Sequence, residues 1–138
     1  MRLRKVTMDD ARCLFDWRND PATRAASVNR DPVAWEDHLA WLEASLANPL
    51  REVLIAEDGV PLGTVRLDKD IRTELSITLG PVARGHGQAA PMIALATEGL
   101  GPFVARIRPD NIASRKAFQK AGFHFTHHAE GMDWFLKP

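Results

Sequence analysis

The segment from Thr73 to Pro102 constrains the fold of this chain more than any other part of it. Apolar and polar residues alternate over Thr73–Leu79, which predicts a β-strand. The loop RGHGQA (Arg84–Ala89) follows, and Gln88–Glu98 then has the composition of a helix that ends at a cluster of glycine and proline. Glycines at a strand-to-helix junction let the backbone approach a ligand, and the unpaired N–H groups of the helix start favour an anion. The segment therefore predicts a site for a group such as a pyrophosphate.

Two other interpretations of the loop stay open on these residues alone. Gly85-x-Gly87-x-x-Ala90 fits a dinucleotide-binding fingerprint, but that fingerprint should directly follow the first strand of a repeated βαβ unit. Here Pro81–Arg84 intervenes, and the strands before it are predicted to form an antiparallel meander. The loop could also be an ordinary glycine turn that binds nothing.

The other elements alternate between helical and strand periodicity and predict one α+β domain over residues 1–138. Their order is strand, two helices, three strands, helix, strand, helix and two strands. The first helix starts at Thr7, with Asp10 as a variant of the capping box, and stops at Asn19-Asp20-Pro21. The other predicted helices run from Asp31-Pro32 to Asn48-Pro49, over Gln88–Glu98 and over Asn111–Ala121, and the other strands are Arg2–Val6, Glu52–Glu57, Leu62–Leu67, Phe103–Ile107, Phe123–Thr126 and Met132–Leu136.

A second motif, RPDNIASRKAFQKAGF over Arg108–Phe123, lies about the right distance after the glycine loop to make a pair with it. Together the two segments resemble the GNAT superfamily of N-acetyltransferases over nearly the whole chain. Arg84, Gly87 and Ala89 take the key positions of the family's first pattern. The later motif on the last helix is matched by Asn111, Ser114, Phe118 and Gly122-Phe123. The resemblance implies a GNAT fold, with a mixed, mostly antiparallel sheet that splays at an acetyl-CoA cleft and about four flanking helices.

The same resemblance implies which residues hold acetyl-CoA as acetyl donor. The molecule would lie where Thr73–Leu79 splays from its neighbour strand, with the pyrophosphate on the N–H groups from Gly85 to Ala89. Asn111 and Ser114 would lie near the pantetheine arm and the sulfur. The full set of implied cofactor residues is Ile77, Thr78, Leu79, Arg84, Gly85, His86, Gly87, Gln88, Ala89, Asn111, Ser114 and Phe118.

The chemistry implied is direct attack of an amine on the thioester, which needs a proton acceptor and a proton for the thiolate. Glu74, on the polar face of the splayed strand, is the candidate acceptor, although it could equally be a plain solvent-facing residue. Many relatives use a tyrosine on the last helix as the acid, whereas this chain has no tyrosine and carries Phe118 at the matching place. Ser114 or a water would then supply the proton, or the thiolate would leave unaided.

The region before the meander should form the acceptor side of the cleft, although the His-x-x-Trp pair within it could equally be a half-buried structural pair. The WRND-P-x-x-R stretch, that pair and the ELSI strand resemble the amino-sugar-nucleotide N-acetyltransferases, including the pseudaminic-acid pathway type. Relatives that acetylate protein N-termini or other small amines share these motifs, and a non-catalytic acetyl-CoA-binding sensor is a further alternative. The candidate acceptor residues are Trp17, Arg18, Asn19, Arg24, His38 and Trp41.

Charge and composition exclude several other classes of protein. Lysine plus arginine and aspartate plus glutamate both total 18, so no basic excess points to nucleic acid or an anionic membrane. The single cysteine, Cys13, and the lack of an apolar leader segment fit a cytoplasmic location. His124, His127 and His128 are not expected to bind a metal, because adjacent strand residues point to opposite faces and no fourth ligand is evident. The partner expected is a small-molecule amine.

Overall fold

The computed structural model describes residues 1–27, 29–99 and 101–138. Seven strands form one mixed sheet with the spatial order β1-β2-β3-β4-β5-β7-β6. All neighbouring strands are antiparallel except β4 and β5, which are parallel. The strands are β1 (Arg2–Lys5), β2 (Arg51–Glu57), β3 (Pro61–Asp68), β4 (Thr73–Leu79), β5 (Phe103–Ile107), β6 (His124–Ala129) and β7 (Met132–Lys137).

Five α-helices accompany the sheet, one more than the sequence predicted. They are α1 (Ala11–Asn19), α2 (Pro21–Ala26), α3 (Trp35–Ala47), α4 (Ala89–Ala96) and α5 (Ile112–Lys120), and 3-10 turns cover Met8–Asp10 and Pro81–Ala83. The additional helix is α2. Asp20-Pro21, interpreted as the end of the first helix, also begins the next one, because the Asp20 carboxylate accepts from the N–H groups of Ala22 and Thr23 and proline occupies the first turn.

The helix expected from Asp31 begins only at Trp35. The side-chain amide of Asn19 donates to the Val33 carbonyl at 2.7 Å and accepts from the Val33 N–H at 2.8 Å. This pairing holds the backbone before α3 extended, and Ala34 takes the N-cap position with φ −72° and ψ 151°. The predicted start at Asp31 was wrong because a contact from α1, invisible to local sequence, overrides the Asp-Pro signal.

Both faces of the sheet are buried, and β2 shows how the sequence arranges this. Val53 and Ile55 pack with α1 and α3 on one face, whereas Leu54 and Ala56 pack with α4 and α5 on the other. Strand residues alternate between faces, so four consecutive buried residues serve two cores. Among the described residues, no helix has the length and apolar character needed to cross a membrane.

The parallel pair β4–β5 is hydrogen-bonded only at its beginning. Thr73 lies opposite Phe103 and Glu74 opposite Val104, and beyond these two pairs the strands separate. On their outer sides both strands stay paired along their length, β4 with β3 and β5 with β7. The sheet therefore forks between β4 and β5.

Candidate functional site

A cleft of about 680 Å³ opens at the fork of the sheet. Its floor is the separated part of β4 with the end of β5, and α1, α2, α3 and α5 supply its walls. Beyond Glu74, the backbone N–H and C=O groups on the β5 side of β4 have no neighbouring strand to bond. Ile77, Thr78 and Leu79, expected to hold a pantetheine arm, all line this stretch of the cleft.

The glycine loop joins the end of β4 to α4. Gly85 and Gly87 have φ values of 75° and 67°, a left-handed region that residues with a Cβ rarely adopt. No atom lies within 4 Å of the position where a Cβ would sit on either glycine, so the space above the loop is open. Gln88 is the N-cap of α4 and makes no side-chain hydrogen bond to the first turn. The first N–H groups of α4 are thus left for an external acceptor.

The loop residues do not all reach the cleft. Gly85 and Ala89 line it, whereas the side chains of His86 and Gln88 and the backbone of Gly87 are not among its lining. His86, Gly87 and Gln88 lie on the outer part of the loop and are exposed or half-buried.

Arg84, one of the expected cofactor residues, also has partners within the chain. Its Nη2 group donates to the Asp20 carboxylate at 2.7 Å, to the Thr23 hydroxyl at 2.9 Å and to the Leu79 carbonyl at 3.4 Å. The guanidinium therefore links the loop to the short helix α2, a contact between residues more than 60 positions apart that the local motif does not reveal.

The residues expected from the second motif lie where β5 leads into α5. Asn111 caps α5 by accepting the Ser114 N–H at 3.1 Å, and both residues line the cleft. The Ser114 hydroxyl makes no hydrogen bond within the described part of the chain and is half-buried. Phe118 also borders the cleft, but it is 3% exposed and packs edge-on against Phe123 at 5.0 Å, as a core residue does.

Glu74, the candidate proton acceptor, is paired with an arginine of the neighbouring strand. Its carboxylate binds the Arg106 guanidinium through two hydrogen bonds, at the point where β4 and β5 are still paired. Glu74 is not among the residues that line the cleft, whereas Arg106 is. The alternation of β4 indicated the correct face of the strand, but not that Arg106, 32 residues later, occupies the carboxylate.

His38 and Arg18 form the wall opposite α5. The His38 ring is fully buried, and its Nε2 lies 2.9 Å from the Ala11 carbonyl, which can only accept, so Nε2 carries the proton. Its Nδ1 lone pair then faces the Arg18 guanidinium at 3.5 Å. Burial lowers the pKa of His38 below its ordinary value, with a further contribution from the Arg18 charge, so the ring is neutral at pH 7.

Two tryptophans complete this wall. Trp41 stacks on His38 with ring centres 5.9 Å apart, and the Arg18 guanidinium lies 4.6 Å from the Trp41 ring centre. Trp17 packs so closely on Gly80 that a Cβ there would lie 2.8 Å from the indole. Trp17, Arg18, His38 and Trp41 all line the cleft. Trp17 and Trp41 also pack against the core beside α1 and α3, so they are both cleft wall and core packing.

Two of the expected acceptor residues make hydrogen bonds within the chain. The Asn19 side-chain amide pairs with the Val33 backbone, as described above, and Arg24 donates its Nε–H to the Asn19 carbonyl at 3.2 Å. Neither residue lines the cleft. Their short spacing after Trp17-Arg18 suggested a shared site, but Asn19 bonds the segment before α3 and Arg24 bonds the end of α1.

Sequence reasoning missed Arg66, which enters the cleft from β3. Its positive charge is one cause, after burial, of the lowered pKa of Arg18, which shows that the two guanidinium groups are close. Nothing in the β3 sequence marks this arginine, because an alternating strand carries such a residue on any solvated face.

The histidines near the C-terminus lie away from the cleft. His128 bonds the Asp133 carboxylate at 2.7 Å, and His127 stacks flat on Trp134. No group of three potential metal ligands occurs in residues 1–27, 29–99 and 101–138.

Comparisons with known proteins agree with this architecture. A family model described as an acetyltransferase (GNAT) domain matches residues 1–124. An uncharacterised protein of Methanocaldococcus jannaschii is 26% identical over 148 residues, and the chain spans only 30% of the length of this curated relative.

Solved structures share the fold at low sequence identity. Spermidine N-acetyltransferase from Vibrio cholerae, in complex with CoA and spermine, superposes with a TM-score of 0.84 at 17% identity, covering 98% of this chain and 92% of that one. Ribosomal-protein-alanine N-acetyltransferase from Brucella melitensis gives a TM-score of 0.79 at 23% identity, with 99% of each chain covered. An aminoglycoside acetyltransferase in complex with coenzyme A and kanamycin gives 0.79 at 16% identity, covering 98% and 92%.

The buried, neutral His38 makes a testable contribution to stability. In the unfolded chain this histidine takes up a proton near pH 6.5, whereas in the folded chain its pKa is lower. Acidification therefore stabilises the unfolded state relative to the folded state. The free energy that the neutral His38 contributes to folding is complete above pH 6.5 and is lost as the pH falls below it. We expect wild-type protein to lose up to about 1.4 kcal/mol more than a His38→Gln variant between pH 7.5 and pH 5.5. Urea unfolding of both proteins at the two pH values measures this, and equal losses would show that His38 is not held neutral. Carboxylates with lowered pKa values, such as Asp10, respond only at more acidic pH and do not interfere.

Proposed function

The chain belongs to the GNAT acetyltransferase family, whose members are N-acetyltransferases that use acetyl-CoA, and we propose that its acceptor is a primary amine on an anionic small molecule. The most specific candidate is an amino-sugar nucleotide. The observation that carries this proposal is the fork between β4 and β5, a cleft lined both by the start of the glycine loop and by Arg18, which has no carboxylate partner among the described residues. We also propose that residues 1–138 form one such domain and act in the cytoplasm, where a lone cysteine stays reduced.

The donor half of the cleft suits the chemistry of acetyl-CoA. The unpaired backbone groups of β4 can bond the amides of a pantetheine arm as a further strand would. The open space above Gly85 and Gly87, next to the uncapped start of α4, suits a pyrophosphate. Asn111 and Ser114 line the same cleft, and we propose that the thioester lies near them, beside α5.

The proposed reaction is one displacement without an enzyme-bound acetyl group. The unprotonated amine attacks the thioester carbonyl, a C–N bond forms, and the C–S bond breaks with its electron pair on sulfur. The amine's proton passes to water, and the thiolate, with a reference pKa of about 8.5, takes a proton from the Ser114 hydroxyl or from water. Glu74 has no part in this scheme, because Arg106 holds its carboxylate outside the lining of the cleft.

The charged side chains in the described lining of the cleft are mostly cationic. Among the described residues that line the cleft, the only carboxylate is Asp31, and the arginines are Arg18, Arg66, Arg84 and Arg106. Three of the four arginines have carboxylate partners. Arg66 pairs with Asp68, Arg84 with Asp20 and Arg106 with Glu74.

Arg18 is the exception among these arginines. Within the described part of the chain no carboxylate lies within salt-bridge distance of it, and its contacts are the neutral His38 and the Trp41 ring. It is half-buried, and burial lowers its pKa, so the structure holds a poorly solvated positive charge at the cleft wall. A negative group on the acceptor would compensate that charge.

This charge distribution does not suit the polyamine acceptors named for two structural neighbours. Spermidine and kanamycin, named for two of them, carry several ammonium groups, which Arg18 and Arg66 would repel. An amino-sugar nucleotide instead offers a diphosphate to the arginines and flat rings to Trp17 and Trp41.

The acceptor class is tested by release of CoA thiol from acetyl-CoA with a matched pair of amines. UDP-glucosamine and glucosamine share the sugar amine and differ in the nucleotide diphosphate. We expect kcat/KM to be at least tenfold higher for UDP-glucosamine and lowest for spermidine. In an Arg18→Gln variant, kcat/KM for UDP-glucosamine should fall about ten- to a hundredfold, the loss of one charge-assisted contact, with unchanged acetyl-CoA affinity.

Arg12→Gln is the matched control, because Arg12 lies on the same helix with a side chain that is 75% exposed, and it should behave as wild type. Faster turnover of spermidine than of either sugar would contradict the anionic acceptor, and no thiol release with any amine would favour a sensor that binds without catalysis.

The proton-transfer roles are tested separately with Glu74→Gln and Ser114→Ala. Glu74→Gln should keep the wild-type pH–rate profile and a kcat within about threefold, because the carboxylate is outside the cleft. Ser114→Ala should lower kcat by less than the roughly hundredfold typical of a committed general acid, with acetyl-CoA affinity retained. A flattened acidic limb in Glu74→Gln would return Glu74 to the mechanism as the base.

A further inference from the structure

The Arg84 guanidinium connects the donor loop with the acceptor side of the cleft. Its Nη2 group alone makes all three of its hydrogen bonds, to Asp20, Thr23 and the Leu79 carbonyl. Its Nε and Nη1 groups bond nothing in the part of the chain that is described. Arg84 borders the cleft and begins the glycine loop. Because only Nη2 is bonded within the described residues, the N–H groups of Nε and Nη1 are left for a ligand in the cleft.

Asp20 is the residue that holds this edge. The same carboxylate oxygen, Oδ2, accepts from Arg84 Nη2 at 2.7 Å and from the N–H groups of Ala22 at 3.1 Å and Thr23 at 3.3 Å. The hydrogen bond from Arg84 is the main reason that the pKa of Asp20 lies below its ordinary value. Asp20 therefore caps α2 and anchors Arg84 at once.

Helix α2 is short and depends on these contacts for its position. It has six residues, none of them buried, so apolar packing contributes little to holding it. Yet it supplies Ala22, Thr23 and Ala26 to the wall of the cleft, beside the acceptor residues of α1. A shift of the Arg84 guanidinium can therefore move this wall of the cleft, because the guanidinium bonds Asp20 and Thr23.

We propose that Asp20 is a positioning residue for acetyl transfer, which acts through Arg84 on both substrates. Asp20 holds Nη2 so that Nε and Nη1 of Arg84 are presented to the pyrophosphate of the donor, and the bound donor in turn fixes α2 against the cleft. Because such coupling is reciprocal, donor and acceptor each strengthen the binding of the other. The inference rests on the proposed function in one respect, that the donor carries a pyrophosphate on the glycine loop.

Calorimetry with CoA tests whether Asp20 positions Arg84 for the donor. Asp20→Asn removes the charge and keeps a good N-cap residue, so α2 should still form. We expect CoA affinity to fall about tenfold in Asp20→Asn, equivalent to about 1.4 kcal/mol, and to stay at the wild-type value in Asp16→Asn. Asp16 is the matched control, because it is an exposed aspartate on α1 that pairs with Arg12 and does not line the cleft.

Hydrogen exchange tests whether the bound donor fixes α2 against the cleft. It also separates a positioning role of Asp20 from a merely structural one. CoA should slow exchange of the amides of Thr23–Ala26 in wild type and in Asp16→Asn, and much less in Asp20→Asn at CoA concentrations that saturate each protein. Protection of Gly85–Ala89 by CoA should appear in all three proteins. Thr23→Val, which removes only the second contact of Nη2, should give an intermediate result.

Each outcome is decisive. Unchanged or tighter CoA binding in Asp20→Asn, or equal protection of α2 in all variants, would overturn the positioning role and leave the proposed function standing. Failure of wild-type protein to bind CoA at all would overturn the proposed function itself.

Discussion

The cleft depends on the fact that β4 and β5 are hydrogen-bonded at only two positions. Each strand is fully paired on its outer side, so the two halves of the sheet can separate without leaving either strand unsupported. The Glu74–Arg106 pair lies at the point of separation and joins the strands on the polar face. The separation exposes backbone groups that a ligand must satisfy, and β4 leads from them directly to the glycine loop. The fork therefore sets the place for the donor, the position of the glycine loop and the positions of the walls on the acceptor side.

The charge of the cleft lining differs from that of the whole chain. The chain as a whole is neutral, with 18 basic and 18 acidic residues, yet the charged side chains in the described lining of the cleft are four arginines and one aspartate. Most of these are balanced by carboxylates just outside the lining, and Arg18 is left beside a histidine that burial keeps neutral. We propose that this uncompensated cation favours acceptors that carry a negative group. The balance of the whole sequence could not reveal this, because it averages over the surface.

Local patterns predicted most of the fold, whereas the roles of the expected donor residues stay predictions. The alternation of β4 and the composition of β5 gave the bounds Thr73–Leu79 and Phe103–Ile107 that the structure has, because both strands are defined by their own side chains. The late start of α3 could not be predicted, since it follows from the Asn19–Val33 hydrogen bonds between separate elements. For the same reason, the partners of Glu74 and Arg84 and the entry of Arg66 into the cleft were invisible. They are set by strand register and helix placement.

A crystal structure of the protein with CoA bound tests the central claim most directly. The account predicts the pantetheine arm between β4 and β5, bonded to the backbone of Ile77–Leu79, and the pyrophosphate on the N–H groups of Gly85–Ala89. It also predicts that Arg84 keeps its contact with Asp20 while its other nitrogens face the phosphates. CoA bound elsewhere, or β4 and β5 paired beyond Glu74 with the gap closed, would contradict it.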